Sequence, residues 1–145
     1  MNMSAWLSSL RVAWLDRDPV AISELFSADA VYYQGPFGAP RCGRSEIATH
    51  WKETLSRQRS PLIWFGSPLV GGDRATVEWW CILHDPESGE PRTAAGCVVM
   101  RFDEAGDCRE LHEYWHGGPG ALLPAFENLR AEGSQQGEMT PQDAR

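Results

Sequence analysis

The chain has 145 residues, 42% of them hydrophobic and 23% charged, a length and composition that fit one globular domain with a core of its own. Its formal net charge of -7 argues against nucleic acid or an acidic membrane surface as partner, because both need a basic footprint. No apolar run approaches the roughly 20 residues of a membrane span, and the N-terminus lacks a basic start followed by a continuous apolar stretch, so a cytoplasmic protein is expected. Cys42, Cys81, Cys97 and Cys108 form no C-x-x-C pair and are read as buried thiols rather than a metal site.

In chain order, Trp6, Leu7, Leu10, Trp14 and Leu15 recur at three and four residues and predict an amphipathic helix from Met3 to Arg17. Asp18-Pro19 starts a second helix that carries Ile22, Leu25 and Phe26 inward up to Ser27. A short strand follows over Ala30–Gln34, then the turn-rich Gly35-Pro36-Phe37-Gly38 and a third helix capped by Ser45, with Ile47, Trp51 and Leu55 on one face. From Leu62 the pattern becomes extended. A strand broken near Gly66 and Pro68, a long one over Ala75–Leu83, and a hairpin of Arg92–Phe102 with Cys108–Trp115 about an Asp103–Gly106 turn predict an antiparallel meander. Gly117-Gly118 is expected to stop the last strand, Ala121–Arg130 to form a short helix, and Ala131–Arg145 to be a polar tail after a single domain over residues 1–130. Helices first and strands after imply an α+β fold.

Leu25-Phe26-Ser27-Ala28-Asp29-Ala30-Val31, Gly35-Pro36-Phe37-Gly38, Gly43-Arg44-Ser45-Glu46-Ile47, Arg101-Phe102-Asp103-Glu104-Ala105-Gly106 and Tyr114-Trp115 stand in an order and spacing that resemble the nuclear transport factor 2-like superfamily. The likeness is greatest to its SnoaL-like polyketide cyclases and ketosteroid isomerases. The resemblance implies a cone in which N-terminal helices pack on a strongly curved, mostly antiparallel sheet and enclose a largely apolar pocket. It also implies a homodimer through the convex face and cofactor-free chemistry on a hydrophobic or aromatic small molecule. The isomerases' catalytic aspartate, however, is matched by Gly35, and their oxyanion-hole tyrosine and aspartic acid by Leu10 and Val98. None of these can move a proton or stabilise an enolate, which argues against steroid isomerisation by that route.

Strand alternation places Leu111, Glu113 and Trp115 on one face, which the resemblance turns toward the pocket. A carboxylate between two apolar residues is desolvated and suited to general acid or base work, so Glu113 is the leading catalytic candidate. The alternative is a carboxylate at the cone mouth paired with Arg109. Glu78 is a second candidate if its face, with Thr76, Trp80 and Ile82, is the inner one; the other reading leaves it on the convex side. By resemblance His50 and Trp51 occupy pocket-facing helix positions, with an ordinary surface histidine as the alternative for His50. Tyr33, two residues before Gly35, is a candidate hydroxyl donor or a core residue. Trp14, Trp51, Trp80, Leu111 and Trp115 are the candidate ligand-binding residues, Trp14 being otherwise core. His112-Glu113-Tyr114-Trp115-His116 spells the zinc-protease motif H-E-x-x-H, but in a strand its histidines stand about 13 Å apart and cannot share a metal. The expectation is therefore a cofactor-free isomerase, cyclase or lyase, or else a non-catalytic ligand-binding or dimerisation module of the same fold.

Overall fold

A computed structural model describes residues 1–130; the tail expected from Ala131 lies outside them. Helix α1 (Met3–Leu15) opens at Asn2, whose side chain accepts from the Ala5 amide, and buries Met3, Trp6, Leu7, Ala13 and Trp14. Helix α2 (Pro19–Ser23) follows its Asp18 cap but ends earlier than the apolar pattern suggests. Phe26 begins strand β1 (Phe26–Tyr33), because the Leu25 carbonyl accepts from the Cys108 amide and Phe26 pairs with Cys108, so a distant ladder overrides local helical spacing. After β2 (Arg41–Cys42), helix α3 (Gly43–Ser56) starts ahead of Ser45: Cys42 is its N-cap residue, and the Glu46 carboxylate accepts from the Cys42 amide.

The remaining elements are β3 (Arg59–Phe65), β4 (Leu69–Gly71), β5 (Arg74–His84), β6 (Pro91–Phe102), β7 (Cys108–Pro119) and the short α4 (Glu127–Arg130). The sheet order is β2-β1-β7-β6-β5-β3, with β4 also on β5. Every pairing is antiparallel except β1 with β7. Strand β7 runs past Trp115 because Gly117 and Gly118 still pair with Ala94 and Thr93; the long partner β6 keeps offering ladder bonds where the glycines alone predicted a break.

The three N-terminal helices cover the concave face. Trp6 sits edge-on to Phe26 and Phe102, each ring 5.8 Å away, tying α1 to β1 and β6 on either side of β7. Arg17, at a φ of 56°, donates to the Leu55 and Gln58 carbonyls and so clamps the end of α3 against α1. On the opposite face Trp64, Ile82 and Leu129 form a second cluster with Trp80. The segment after β7 lies over it, with Trp80 Nε1 donating to the Leu122 carbonyl at 2.8 Å and Phe126 edge-on to Trp80. No helix among the described residues is long and apolar enough to cross a membrane.

Gly96 of β6 leaves no room for a side chain against β7: an added Cβ would stand 2.0 Å from the Tyr114 carbonyl oxygen and 2.8 Å from Trp115 Cα. Backbone cannot swing away as a side chain can. Gly96→Ala is expected to lower stability by about 1–3 kcal/mol, the usual cost of overpacking, as read by urea unfolding.

Candidate functional site

A cavity of about 710 Å³ lies between the helices and the concave faces of β1, β5, β6 and β7. Curvature alone would leave an apolar hollow, and the side chains pointing into it are large and aromatic. Trp14 and Trp51, their rings 5.2 Å apart and steeply tilted, form the wall on the helical side, and Trp79, Cys81 and Leu83 of β5 form the wall on the sheet side. Trp14 Nε1 donates to Gln58 Oε1 at 2.8 Å, which fixes both the ring and the buried amide. Trp115 and residues 116–118 reach the rim.

Glu113 stands in this wall, and Tyr32 Oη donates to its Oε2 at 3.3 Å. Burial pushes the Glu113 carboxyl up to about 7, and the Tyr32 hydrogen bond offsets only part of that rise. Tyr32 is itself held well above its ordinary value of 10.0, by burial first and then by the charge and hydrogen bond of Glu113, so its phenol remains a donor. His50, buried, has its ring 5.1 Å from that of Tyr32. Burial, then Arg41, brings His50 down to about 4 against the opposing pull of Glu53, so it packs as a neutral ring near neutral pH. Burial raises the Cys81 thiol to about 12, which leaves no thiolate in the wall.

Of the candidate residues, Glu113, His50, Trp14, Trp51 and Trp115 meet at the cavity, and the others stand elsewhere. Tyr33 points to the opposite side of β1, stacked on His112 at 4.6 Å; the residue that enters the cavity is its neighbour Tyr32. Glu78 and Trp80 lie on the outer face of β5 beneath the segment after β7, where Asn128 reaches Glu78. Leu111 is buried in the core cluster beneath the helices rather than at the cavity surface. Arg109 pairs with Asp73 and not with Glu113. His112 is hydrogen-bonded to Glu110 at 2.6 Å in β7, and no group of three potential metal ligands occurs among the described residues.

Sequence reasoning passed over Tyr32, Trp79, Gln58, Arg57 and Arg92. One signal for Trp79 was present: Val77, Trp79, Cys81 and Leu83 carry no charge, whereas the alternate set includes Glu78. Over residues 30–33, the end of β1, there was none, since Ala30 and Tyr32 are as apolar as Val31 and Tyr33 and the charged Asp29 lies in the stretch where the register shifts. Chemically, the arrangement offers a carboxyl that exchanges a proton near neutrality, a phenol that orients it, and a largely aromatic enclosure for a flat apolar molecule.

Helices seated on an open, curved, mostly antiparallel sheet around such a cavity constitute a cone of the nuclear transport factor 2-like kind. The chain belongs to the SnoaL-like domain family, which matches residues 8–111. No curated protein is detectably similar in sequence. Among solved structures, a hypothetical protein with ketosteroid isomerase-like fold from Catenulispora acidiphila DSM 44928, in complex with trimethylamine, is 19% identical with a TM-score of 0.67, the match covering 89% of this chain and 92% of that one. SalBIII, an epoxide hydrolase/cyclase-like enzyme of pyran ring formation in the polyether salinomycin, is 15% identical with a TM-score of 0.70, covering 80% of this chain and 94% of the other. At these identities the likeness establishes the fold.

The raised carboxyl of Glu113 makes stability depend on pH. Below the ordinary value of 4.5 the group is neutral whether folded or unfolded and exacts nothing. As pH rises toward about 7 the unfolded chain ionises while the folded one holds its proton, so stability is lost across that window. Glu113→Gln keeps an acceptor for Tyr32 and removes the ionisation. It should therefore be more stable than the parent at pH 8 by about 1–3 kcal/mol and nearly equal to it at pH 4.5, as measured by denaturant melts at both values.

Proposed function

We propose that this protein is a cofactor-free isomerase, cyclase or lyase that acts on a hydrophobic or aromatic small molecule by general acid/base catalysis at Glu113. The observation that carries the reading is the Glu113 carboxyl, half-buried in the cavity wall and hydrogen-bonded by Tyr32, its pKa raised by desolvation to about 7. Such a group is populated in both forms at neutral pH, so it can take a proton from one substrate atom and return it to another without a second catalyst. Tyr32 engages Oε2, and among the described residues no hydrogen-bond partner engages Oε1, which is left for the substrate. Family membership and the cyclase-like structural neighbour support this class, and the neighbour holding trimethylamine supports occupation of the cavity by a small molecule.

Proton transfer can be read without knowing the natural substrate. Aromatic ketones such as 2-tetralone, incubated in heavy water, should gain deuterium next to the carbonyl faster with the protein than without it, as followed by NMR. Glu113→Gln should lower that rate about 10²-fold or more while tryptophan-fluorescence titration shows binding within about threefold of the parent. Saturable binding without exchange or turnover in the parent protein would replace this reading with that of a ligand-binding module.

The same reading includes a homodimer through the convex face and a reducing, cytoplasmic setting. The four cysteines are free, and Cys42 is exposed. The segment after β7 covers the β3 and β5 side of that face, while Leu69, Val99 and Tyr114 remain exposed on β4, β6 and β7. Tyr114→Arg should convert a dimer to monomer in analytical ultracentrifugation, and a parent protein that sediments as monomer at high concentration would remove the dimer.

A further inference from the structure

We propose that the ligand of this cavity is an anionic amphiphile, a flat apolar body ending in a carboxylate, which enters apolar end first and leaves its acid at the mouth with Arg57 and Arg92. The proposal rests on the reading of the cavity as a small-molecule site and names the class of molecule. Arg57 follows α3 as its C-cap residue, Arg92 is the second residue of β6, and both are exposed and line the cavity. Neither side chain has a hydrogen-bond or ion-pair partner among the described residues. Several other arginines are engaged, Arg101 and Arg109 by Asp73 and Arg44 by the Phe26 carbonyl; the side chains of Arg41, Arg59 and Arg74 have no partner among the described residues either, but they do not line the cavity.

The charged groups near the mouth leave both guanidinium groups available. Asp85 feels Arg92, yet its carboxylate is already turned to the Ser88 and Glu87 amides. Glu53 lies one turn before Arg57 on α3, is exposed, and forms no ion pair with it. The field of Arg57 is felt inside the cavity as one of the influences that keep His50 neutral. Two unpaired cations at the opening of a cavity, in a chain of net charge -7, make a local potential opposite to that of the molecule as a whole. His116 adds a third nitrogen base to the rim.

The inner end has the opposite preference. An anion placed there would meet Glu113 as it ionises and no cation; the buried, unpartnered Nε1 groups of Trp51 and Trp79 are neutral donors, which suit a carbonyl or hydroxyl of the ligand body without offsetting the cost of burying a charge. A flat hydrocarbon suits that end. Trp115, half exposed at the rim, lies against Gly117, where a side chain would stand 3.1 Å from its ring, and so offers a stacking surface between the two ends. Polarity thus fixes the direction of the ligand and brings a carbon of its apolar end, not its acid, to Glu113.

A matched pair of probes separates the claim from the reading it rests on: 2-naphthylacetic acid and its neutral primary amide, each titrated by calorimetry into the parent protein and into the double variant Arg57→Gln, Arg92→Gln. The acid should bind at least about tenfold more tightly than the amide to the parent, the preference should shrink as salt is raised, and it should fall to about twofold or less in the variant while amide affinity is unchanged. Equal affinities in the parent, or a preference that survives in the variant, would overturn the proposal while the bound amide still upholds the cavity as a ligand site. Failure of both probes to bind would overturn both. The substituted side chains are exposed, so thermal melts of the variant should match the parent.

Discussion

The parallel pairing of β1 with β7 is the contact on which the rest of the molecule depends. It is the one pairing that joins the N-terminal half, with its helices, to the meander of β3–β7. Its register, Tyr32 opposite Leu111 and Tyr33 opposite His112, fixes which tyrosine meets Glu113 and which stacks outside. A slip of one residue would exchange the two, because side chains alternate across a strand. The same pairing draws Phe26 out of the preceding helix and sets α1–α3 over the concave face, so the cavity has a roof.

A roofed cavity of this kind carries an internal conflict. Its walls are largely aromatic, yet they include the Glu113 carboxyl, the Tyr32 phenol, the His50 imidazole and the Gln58 amide. The amide is satisfied by Trp14 and the phenol by Glu113, while the imidazole stays neutral. The carboxyl is left with one modest hydrogen bond and a raised pKa. An isolated carboxyl placed so is a liability to folding and an asset to proton transfer, for the same reason: the ionised form is poorly solvated. Arg17, which holds the end of α3 to α1, shows where the fold keeps the roof rigid over that group.

Much of this was legible in the chain itself. The hairpin around Asp103–Gly106 was readable because turn residues and β-branched runs are local signals, and the H-E-x-x-H letters could be set aside because a strand spreads them too far apart to chelate. Glu113 was readable because it lies between Leu111 and Trp115 in a strand whose partner face carries two histidines. The β1 assignment failed at Tyr33 because both faces of the stretch over residues 30–33 are apolar, so periodicity within it gives no direction. Glu78 and Trp80 misled for a related reason. The outer face of β5 is apolar not to line a cavity but to receive the segment carrying Leu122, Phe126 and Leu129, forty or more residues later in the chain.

The sequence by itself therefore determined the element types, the α+β order and the family, and it ranked Glu113 ahead of Glu78 as the cavity carboxyl, since each rests on spacing within a few residues or on a string of short motifs. Only the tertiary structure decided the parity of β1, the inner face of β5, the extension of β7 through its glycines, and the meeting of Tyr32 with Glu113. These depend on which strand lies beside which, and local preferences are nearly equal for the alternatives. The choice falls to long-range ladders and to burial, which no window of the chain contains.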